Sequence, residues 1–268
     1  MVKPIVSVII ATYNSKDLLM QCLRSIEGQD FPKNKYEVII VDDGSEDGTL
    51  EAIRRREWKI TVKGIKQNRK GPATARNLGV RKSIGEILAF TDADCVAPSK
   101  WIKNLVDFYK KNPDIVGIGG PLKPSKRNLV AKLEILKNKI LHGMSNGKVI
   151  GGEEVPVGFT NNMSYKAEVF RKFKGFDERF SKPAGEDFDL KQRICKAGYK
   201  VAYIPNPIIH MELYDLDYLL RQILKRGTEG RLTKMGNMQM IIEVVKNMPR
   251  ILYTLTKKSR GYRKAYRK

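Results

Sequence analysis

Apolar residues in this chain fall into short unbroken runs set between longer stretches of helical period. Ile5-Val6-Ser7-Val8-Ile9-Ile10-Ala11, Val38-Ile39-Ile40-Val41 and the Ile87-Leu88-Ala89-Phe90 centre of Glu86 to Thr91 are too short for helices and read as buried strands. After the first run, a Thr12-Tyr13-Asn14-Ser15 turn and N-cap precedes Leu18, Leu19, Cys22, Leu23 and Ile26 at helical spacing. The second run ends in Asp42-Asp43-Gly44-Ser45, ahead of a helix that Asp47 or Thr49 would cap. A third strand around Ile60 to Ile65 leads to a helix from Gly71 to Ser83, and Glu86 to Thr91 is the fourth strand. Strands alternating with helices imply parallel pairing and right-handed crossovers.

Past Cys95 the rhythm loosens. The pattern predicts a helix from Ser99 to Lys111, a strand near Ile115 to Ile118 and a helix from Leu129 to Leu141. Gly143 to Gly158, with five glycines and little periodicity, reads as a mobile loop over a site. A short strand at Asn161 to Tyr165 follows, then a helix opened by Gly185-Glu186-Asp187 and running to Lys196. The strand Tyr199 to Ile204 is stopped by Pro205 and Pro207, with His210 shortly after. From Asp215 two apolar stripes carry many cations, the second bent by Pro249. The division expected is an α/β domain over 1–212 and amphipathic basic helices over 213–268.

Composition narrows the partners. A chain of 268 residues with 41% hydrophobic content can build a sizeable core, and a net charge of +22 calls for anionic partners such as nucleotide phosphates, nucleic acid or an acidic membrane surface. Cys22, Cys95 and Cys195 are odd in number and hold no C-x-x-C pair, which suggests neither a disulfide framework nor a zinc site and fits a reducing cytosol. The chain enters a strand almost at once, and no apolar run approaches ~18 residues. A cytoplasmic protein is expected. The stretch from Asp215 to Lys268 carries fourteen Lys or Arg against four Asp or Glu, which suits peripheral contact with an anionic bilayer at the inner face of the membrane.

Chemistry concentrates at Thr91-Asp92-Ala93-Asp94, where two carboxylates leave the carboxyl end of a buried strand, the edge at which open α/β sheets bind ligands. Close carboxylates repel unless a cation sits between them, and a divalent ion carrying phosphates would serve. Taken with Val6 to Asn14, Val41-Asp42-Asp43-Gly44-Ser45, Ala75-Arg76-Asn77-Leu78-Gly79, Asn162-Met163-Ser164-Tyr165-Lys166, Gly175-Phe176-Asp177-Glu178 and Gly185-Glu186-Asp187, the chain resembles the family 2 glycosyltransferases of the GT-A fold from Val6 to His210.

That resemblance implies an open, mostly parallel Rossmann-like sheet flanked by helices. It also implies inverting transfer of a sugar from a nucleotide-diphosphate donor, UDP-sugar favoured, to the hydroxyl of a glycan or lipid-linked acceptor, supported by Mn²⁺ or Mg²⁺. By the same resemblance Asp43 accepts a hydrogen bond from the base, Asp92 lies near the ribose, Asp94 ligates the metal and His210 completes its shell. Ala11, Tyr13, Lys70 and Arg76 fall on the donor side. Asp187 matches the catalytic base, with Glu186 and Asp189 as rivals, and Asn162 and Arg226 are secondary candidates. The glutamine-arginine-tryptophan pattern of processive synthases is not present, although Gln222 and Arg226 are.

Two other classes compete. A nucleotidyltransferase shares the acidic pair, but no glycine-rich phosphate loop follows the first strand. A nucleic-acid-binding module would use the positive charge, yet the cations cluster late without aromatic interleaving before the last few residues. A dinucleotide oxidoreductase is disfavoured because G-x-G-x-x-G is missing after the first strand.

Overall fold

The computed structural model describes residues 3–126, 128, 130–131, 135, 147–156, 159–180 and 185–211. The chain divides into two units, Met1–Lys123 with Asn146–Met211 and Pro124–Ser145 with Glu212–Lys268. Few residues of the second are described; there the Ala131 N–H donates to Asn128 Oδ1 at 2.9 Å. Both stripes beyond Asp215, Arg226 included, lie outside the described residues, as does most of the helix expected at Leu129 to Leu141. Among the described residues no helix is long and apolar enough to cross a membrane.

The first unit opens as the hydrophobic pattern predicts. β1 (Val6–Thr12), α1 (Lys16–Glu27), β2 (Tyr36–Asp42), α2 (Thr49–Arg55), β3 (Thr61–Lys66), α3 (Pro72–Arg81) and β4 (Ile87–Phe90) alternate, and β1 pairs in parallel with both β2 and β4. Strand alternation splits the core. Val6, Val8 and Ile10 join a large cluster with Leu19 and Leu23 of α1, whereas Ile39, Val41 and Ala75 form a smaller one with Ala11, Ile65 and Leu78. A Cβ on Gly79 would lie 2.7 Å from Ile9 Cγ2, so α3 reaches its close seat on the sheet only because this position is glycine.

Caps depart from expectation at α1 and at α2, whose N-cap is Gly48 rather than Asp47 or Thr49. Ser15 does not cap α1; its hydroxyl donates to Tyr13 O at 2.9 Å. Asp47, from the loop after β2, takes the Lys16 N–H at 2.8 Å and also the Thr49 N–H at 3.1 Å. One carboxylate thus serves two helix starts, where its charge complements both dipoles.

Later elements complete the sheet. β5 (Cys95–Val96) and α4 (Trp101–Lys111) precede β6 (Ile115–Gly119), β7 (Leu122–Pro124), β8 (Val149–Gly151) and β9 (Met163–Lys166). α5 (Ala167–Lys172), α6 (Glu186–Lys196), β10 (Lys200–Tyr203) and β11 (Ile208–His210) follow. The sheet runs β3-β2-β1-β4-β9-β6-β10-β8, with β9 antiparallel to both β4 and β6, and β8 antiparallel to β10. The regular parallel rhythm therefore ends at β4.

Part of the stretch read as a mobile loop is this edge strand β8, whose apolar pair Val149-Ile150 is too short to leave a periodic signal. β5, β11 and β7 form a second, three-stranded sheet. His210, expected only to follow a proline-stopped strand, is itself in a strand paired with Cys95.

Gly117 sits across from Tyr165 on β9, and a Cβ there would lie 2.5 Å from the ring's Cε1. Gly117→Ala is expected to destabilise the protein by about 1–3 kcal/mol through overpacking. A urea unfolding series, showing a lower midpoint at unchanged slope, checks this.

Candidate functional site

The strand order reverses at β1, and in open α/β sheets the carboxyl edge at such a switch point, here the loops after β1, β2 and β4, is where a ligand crevice lies. On one side Asp43, just past β2, is buried. Its Oδ1 accepts the Lys70 N–H at 2.8 Å and Gln67 Nε2 at 2.7 Å, and its Oδ2 accepts the Gly71 N–H at 2.9 Å. Gly44, at φ +87°, turns the chain back immediately after it. Asp43 thereby fastens the approach to α3, and since a carboxylate offers about four acceptor positions, one remains for a ligand N–H. Tyr13 is 37% exposed at the rim, with the Arg69 guanidinium 3.9 Å above its ring centroid and hydrogen-bonded to its hydroxyl. Lys70 is exposed beside it, and the small, half-buried Ala11 pairs with Val41.

The acidic turn follows β4. Thr91 is buried and donates to Asn161 O at 3.0 Å, and the Cys22 thiol of α1 lies 3.6 Å from Asp92 O, so the turn is held on both sides. β5 then pairs antiparallel with β11, placing His210 opposite Cys95. The Met211 N–H donates to Asp94 O at 2.8 Å, and His210 Nε2 lies 3.2 Å from Asp94 Oδ2. Burial pushes the Asp94 carboxyl up, but the hydrogen bond and charge of His210 outweigh it and hold the group below its ordinary value.

Ligand atoms of Asp94, Cys95 and His210 all lie within 4.8 Å of one another. Burial, with the Asp92 and Asp94 charges, pushes the Cys95 thiol up, and a soft sulfur is a poor ligand for a hard cation. The usable donors are then a carboxylate and an imidazole, a set that fits Mg²⁺ or Mn²⁺ completed by phosphate and water oxygens.

The far side is built by α3 and α6. Arg76 is 5% exposed; its Nη1 donates to Glu186 Oε1 at 2.8 Å and its Nη2 to Asp92 Oδ1 at 3.0 Å. The next residue, Asn77, donates to Phe176 O at 2.8 Å and Glu178 Oε1 at 3.0 Å, and accepts the Phe176 N–H at 3.0 Å. Gly185 takes φ +95° and starts α6 so that Glu186 and Asp187 occupy its first turn.

The three rival carboxylates separate here. Glu186 is buried against Arg76, and Asp189 pairs with Arg193 at 2.7 Å. Asp187 instead accepts backbone amides, Phe188 N–H at 2.8 Å and Thr160 N–H at 3.2 Å. Burial and the neighbouring Glu186 charge push its pKa up to about 6, against the smaller pull of those amides and Arg76.

Asn162 lies deeper. Its Nδ2 donates to Pro121 O and Asn206 O, both at 2.9 Å, and its Oδ1 accepts Trp101 Nε1 at 3.0 Å. Both amide hydrogens therefore serve the protein. Sequence reading overlooked Lys191, which is buried and donates to Glu153 O at 2.8 Å and Val155 O at 2.9 Å, pinning that segment to α6. Its place four residues after Asp187, on one helix face, was the available signal. Arg69 was also overlooked, although it adjoins Lys70 in the same loop.

The family model described as Glycosyl transferase family 2 matches residues 7–173. Glycosyltransferase AglE of Haloferax volcanii is 41% identical over 117 residues, covering 42% of this chain and 38% of that protein. A Methanococcus voltae protein, named as a dolichyl N-acetyl-alpha-D-glucosaminyl phosphate 3-beta-D-2,3-diacetamido-2,3-dideoxy-beta-D-glucuronosyltransferase, is 27% identical over 212 residues, covering 75% of this chain and 64% of that one. The chain thus spans less than two thirds of either relative. Mannosyltransferase PcManGT from Pyrobaculum calidifontis, solved with GDP-Man and Mn²⁺, superposes with a TM-score of 0.60 at 24% identity, over 86% of this chain and 66% of that one. The fold is of this GT-A kind.

Asp187 has a higher pKa folded than unfolded, so its contribution to stability is full below the unfolded aspartate value and is lost as pH rises through about 6. Asp187→Asn is therefore expected to be more stable than the parent above about pH 7, by about 3 kcal/mol, and to lose that advantage below about pH 4. Paired thermal melts across this range check the crossover.

Proposed function

The chain belongs to glycosyl transferase family 2, and from that premise we propose that it moves a sugar from a nucleotide-diphosphate donor to an acceptor hydroxyl, with inversion and with Mn²⁺ or Mg²⁺ as cofactor. The observation that carries this reading is the meeting, at one sheet edge, of the acidic pair with His210 and of one carboxyl, Asp187, raised to about 6. Such a group is ionised at neutral pH yet basic enough to take a proton in a transition state.

In this reading the base of the donor, uracil favoured, meets the remaining acceptor position of Asp43, while Ala11, Tyr13 and Lys70 line the donor side. Asp92 faces the ribose. Asp94 and His210 would hold the divalent ion, which would supply positive charge for the departing diphosphate. Asp187 accepts the proton of the acceptor hydroxyl as its oxygen attacks the anomeric carbon and the carbon–oxygen bond to the diphosphate breaks on the opposite face. Glu186, tied to Arg76, orients rather than reacts.

The acceptor proposed is a glycan or lipid-linked sugar, in keeping with the dolichyl phosphate in the name of the Methanococcus voltae relative. We place catalysis in 1–212 of a cytoplasmic protein and assign 213–268, rich in cations, to peripheral contact with an anionic bilayer. No role in nucleic-acid binding is proposed.

Turnover tests the assignment. With UDP- and GDP-sugars and Mn²⁺, Asp187→Asn is expected to lower the rate by about 10²–10⁴-fold while donor affinity holds, the loss attributable to a general base. Asp94→Ala is expected to abolish metal-supported turnover. Full rates in excess chelator overturn the metal role, and full rates from Asp187→Asn overturn the base assignment. Co-sedimentation with acidic liposomes at low salt, lost when the chain is ended at Gly236, is the outcome expected for the basic segment; no sedimentation of the full chain contradicts it.

A further inference from the structure

Arg76 is placed unlike an arginine that simply neutralises one acid. A guanidinium usually gives two parallel hydrogen bonds to a single carboxylate. Here the fork is split between Glu186, 110 residues away in sequence, and Asp92, 16 residues away. Arg76 Nε is buried without a hydrogen-bond partner among the described residues, so the guanidinium's hydrogen bonds are committed to these two acids.

The two acids differ in access. The Glu186 side chain is 3% exposed and that of Asp92 is 30% exposed, so a ligand in the crevice reaches the second and not the first. Glu186 also directly precedes Asp187. The Arg76 guanidinium screens the Glu186 charge, so the way it is shared between the two acids decides how much of that charge Asp187 feels from its neighbour.

We propose that Arg76 is a positioning residue that couples the donor-side turn carrying Asp92 to the helix start carrying Asp187. The role given to Asp187 rests on the glycosyltransferase reading above; the coupling itself is a property of the fold. When a ligand engages Asp92, the guanidinium charge is left more fully to Glu186, and Asp187 becomes easier to ionise. Donor-site occupancy thus readies the acceptor-side base. The charged and titratable groups that face Asp187 are Glu186 beside it, Arg76 of α3, Lys191 one turn along α6 and Tyr165 of β9.

The test needs no turnover. The full chain carrying aspartate labelled with ¹³C at the carboxyl is titrated by NMR without donor or metal, and the Asp187 signal is assigned by its loss in Asp187→Asn. Relative to the parent midpoint, Glu186→Gln is expected to move Asp187 down by about one pH unit and Arg76→Met to move it up by a similar amount. These two shifts report the charges beside Asp187; the coupling through the arginine is read from the cycle with Asp92.

Asp92→Asn is expected to lower the midpoint in the parent and to leave it unchanged in the Arg76→Met background, a double-mutant cycle that isolates the arginine's part. Equal shifts in both backgrounds, or no shift from Glu186→Gln, overturn the coupling. Should Arg76→Met fail to fold, Arg76→Gln, which removes the charge but keeps a polar group, replaces it, and the two near-isosteric variants still decide. If the titrations behave as expected while the parent turns over no nucleotide sugar, the coupling stands and the enzymatic reading falls.

Discussion

A buried guanidinium held between two carboxylates is the constraint on which the site depends. Glu186 is 2% exposed and Arg76 5% exposed, so removal of the cation strands a charge in the protein interior, a change that costs about 3–5 kcal/mol for such pairs. The pair forms only because α3 lies close on the sheet, and it lies close because Gly79 presents no Cβ to Ile9. One helical stretch, Arg76-Asn77-Leu78-Gly79, thus fixes the acidic turn through Arg76, the segment Phe176 to Glu178 through Asn77, and its own seat through Gly79.

A second constraint is antiparallel pairing late in the chain. Parallel strands β1, β2 and β4 place Asp43 and the acidic turn at one edge, but Asp187 and His210 lie over 90 residues beyond that turn. β9, wedged antiparallel between β4 and β6, begins at that edge, and just ahead of it the Thr160 N–H meets Asp187. The small β5–β11 pairing does the same for His210 and Asp94. Two families of connection, one regular and one irregular, therefore converge on one crevice.

What the sequence revealed follows from how each signal is made. β1, β2 and β4 were legible because strands covered on both faces are continuous apolar runs. The glycine-flanked β8 and the two- or three-residue β5 and β11 were not, since nothing periodic fits in so few positions. Ser15 looked like the cap of α1, but a carboxylate 31 residues away took the amide. The family resemblance put Asp187 ahead of Glu186 in the Gly185-Glu186-Asp187 group, but it gave no physical ground for the order. Their difference lies in a partner 110 residues earlier, which only the fold brings near.

The central claim is that this crevice binds a nucleotide-diphosphate sugar together with a divalent ion. Melting temperatures of the full chain measured against a panel of UDP-, GDP- and dTDP-sugars, with Mn²⁺ or Mg²⁺ and then with chelator, test it most directly. A donor at 100 times its dissociation constant stabilises the native state by about 2.7 kcal/mol, so the account predicts a rise of about 5 °C with at least one sugar nucleotide, lost on chelation. No rise with any member of the panel in the presence of either metal contradicts it.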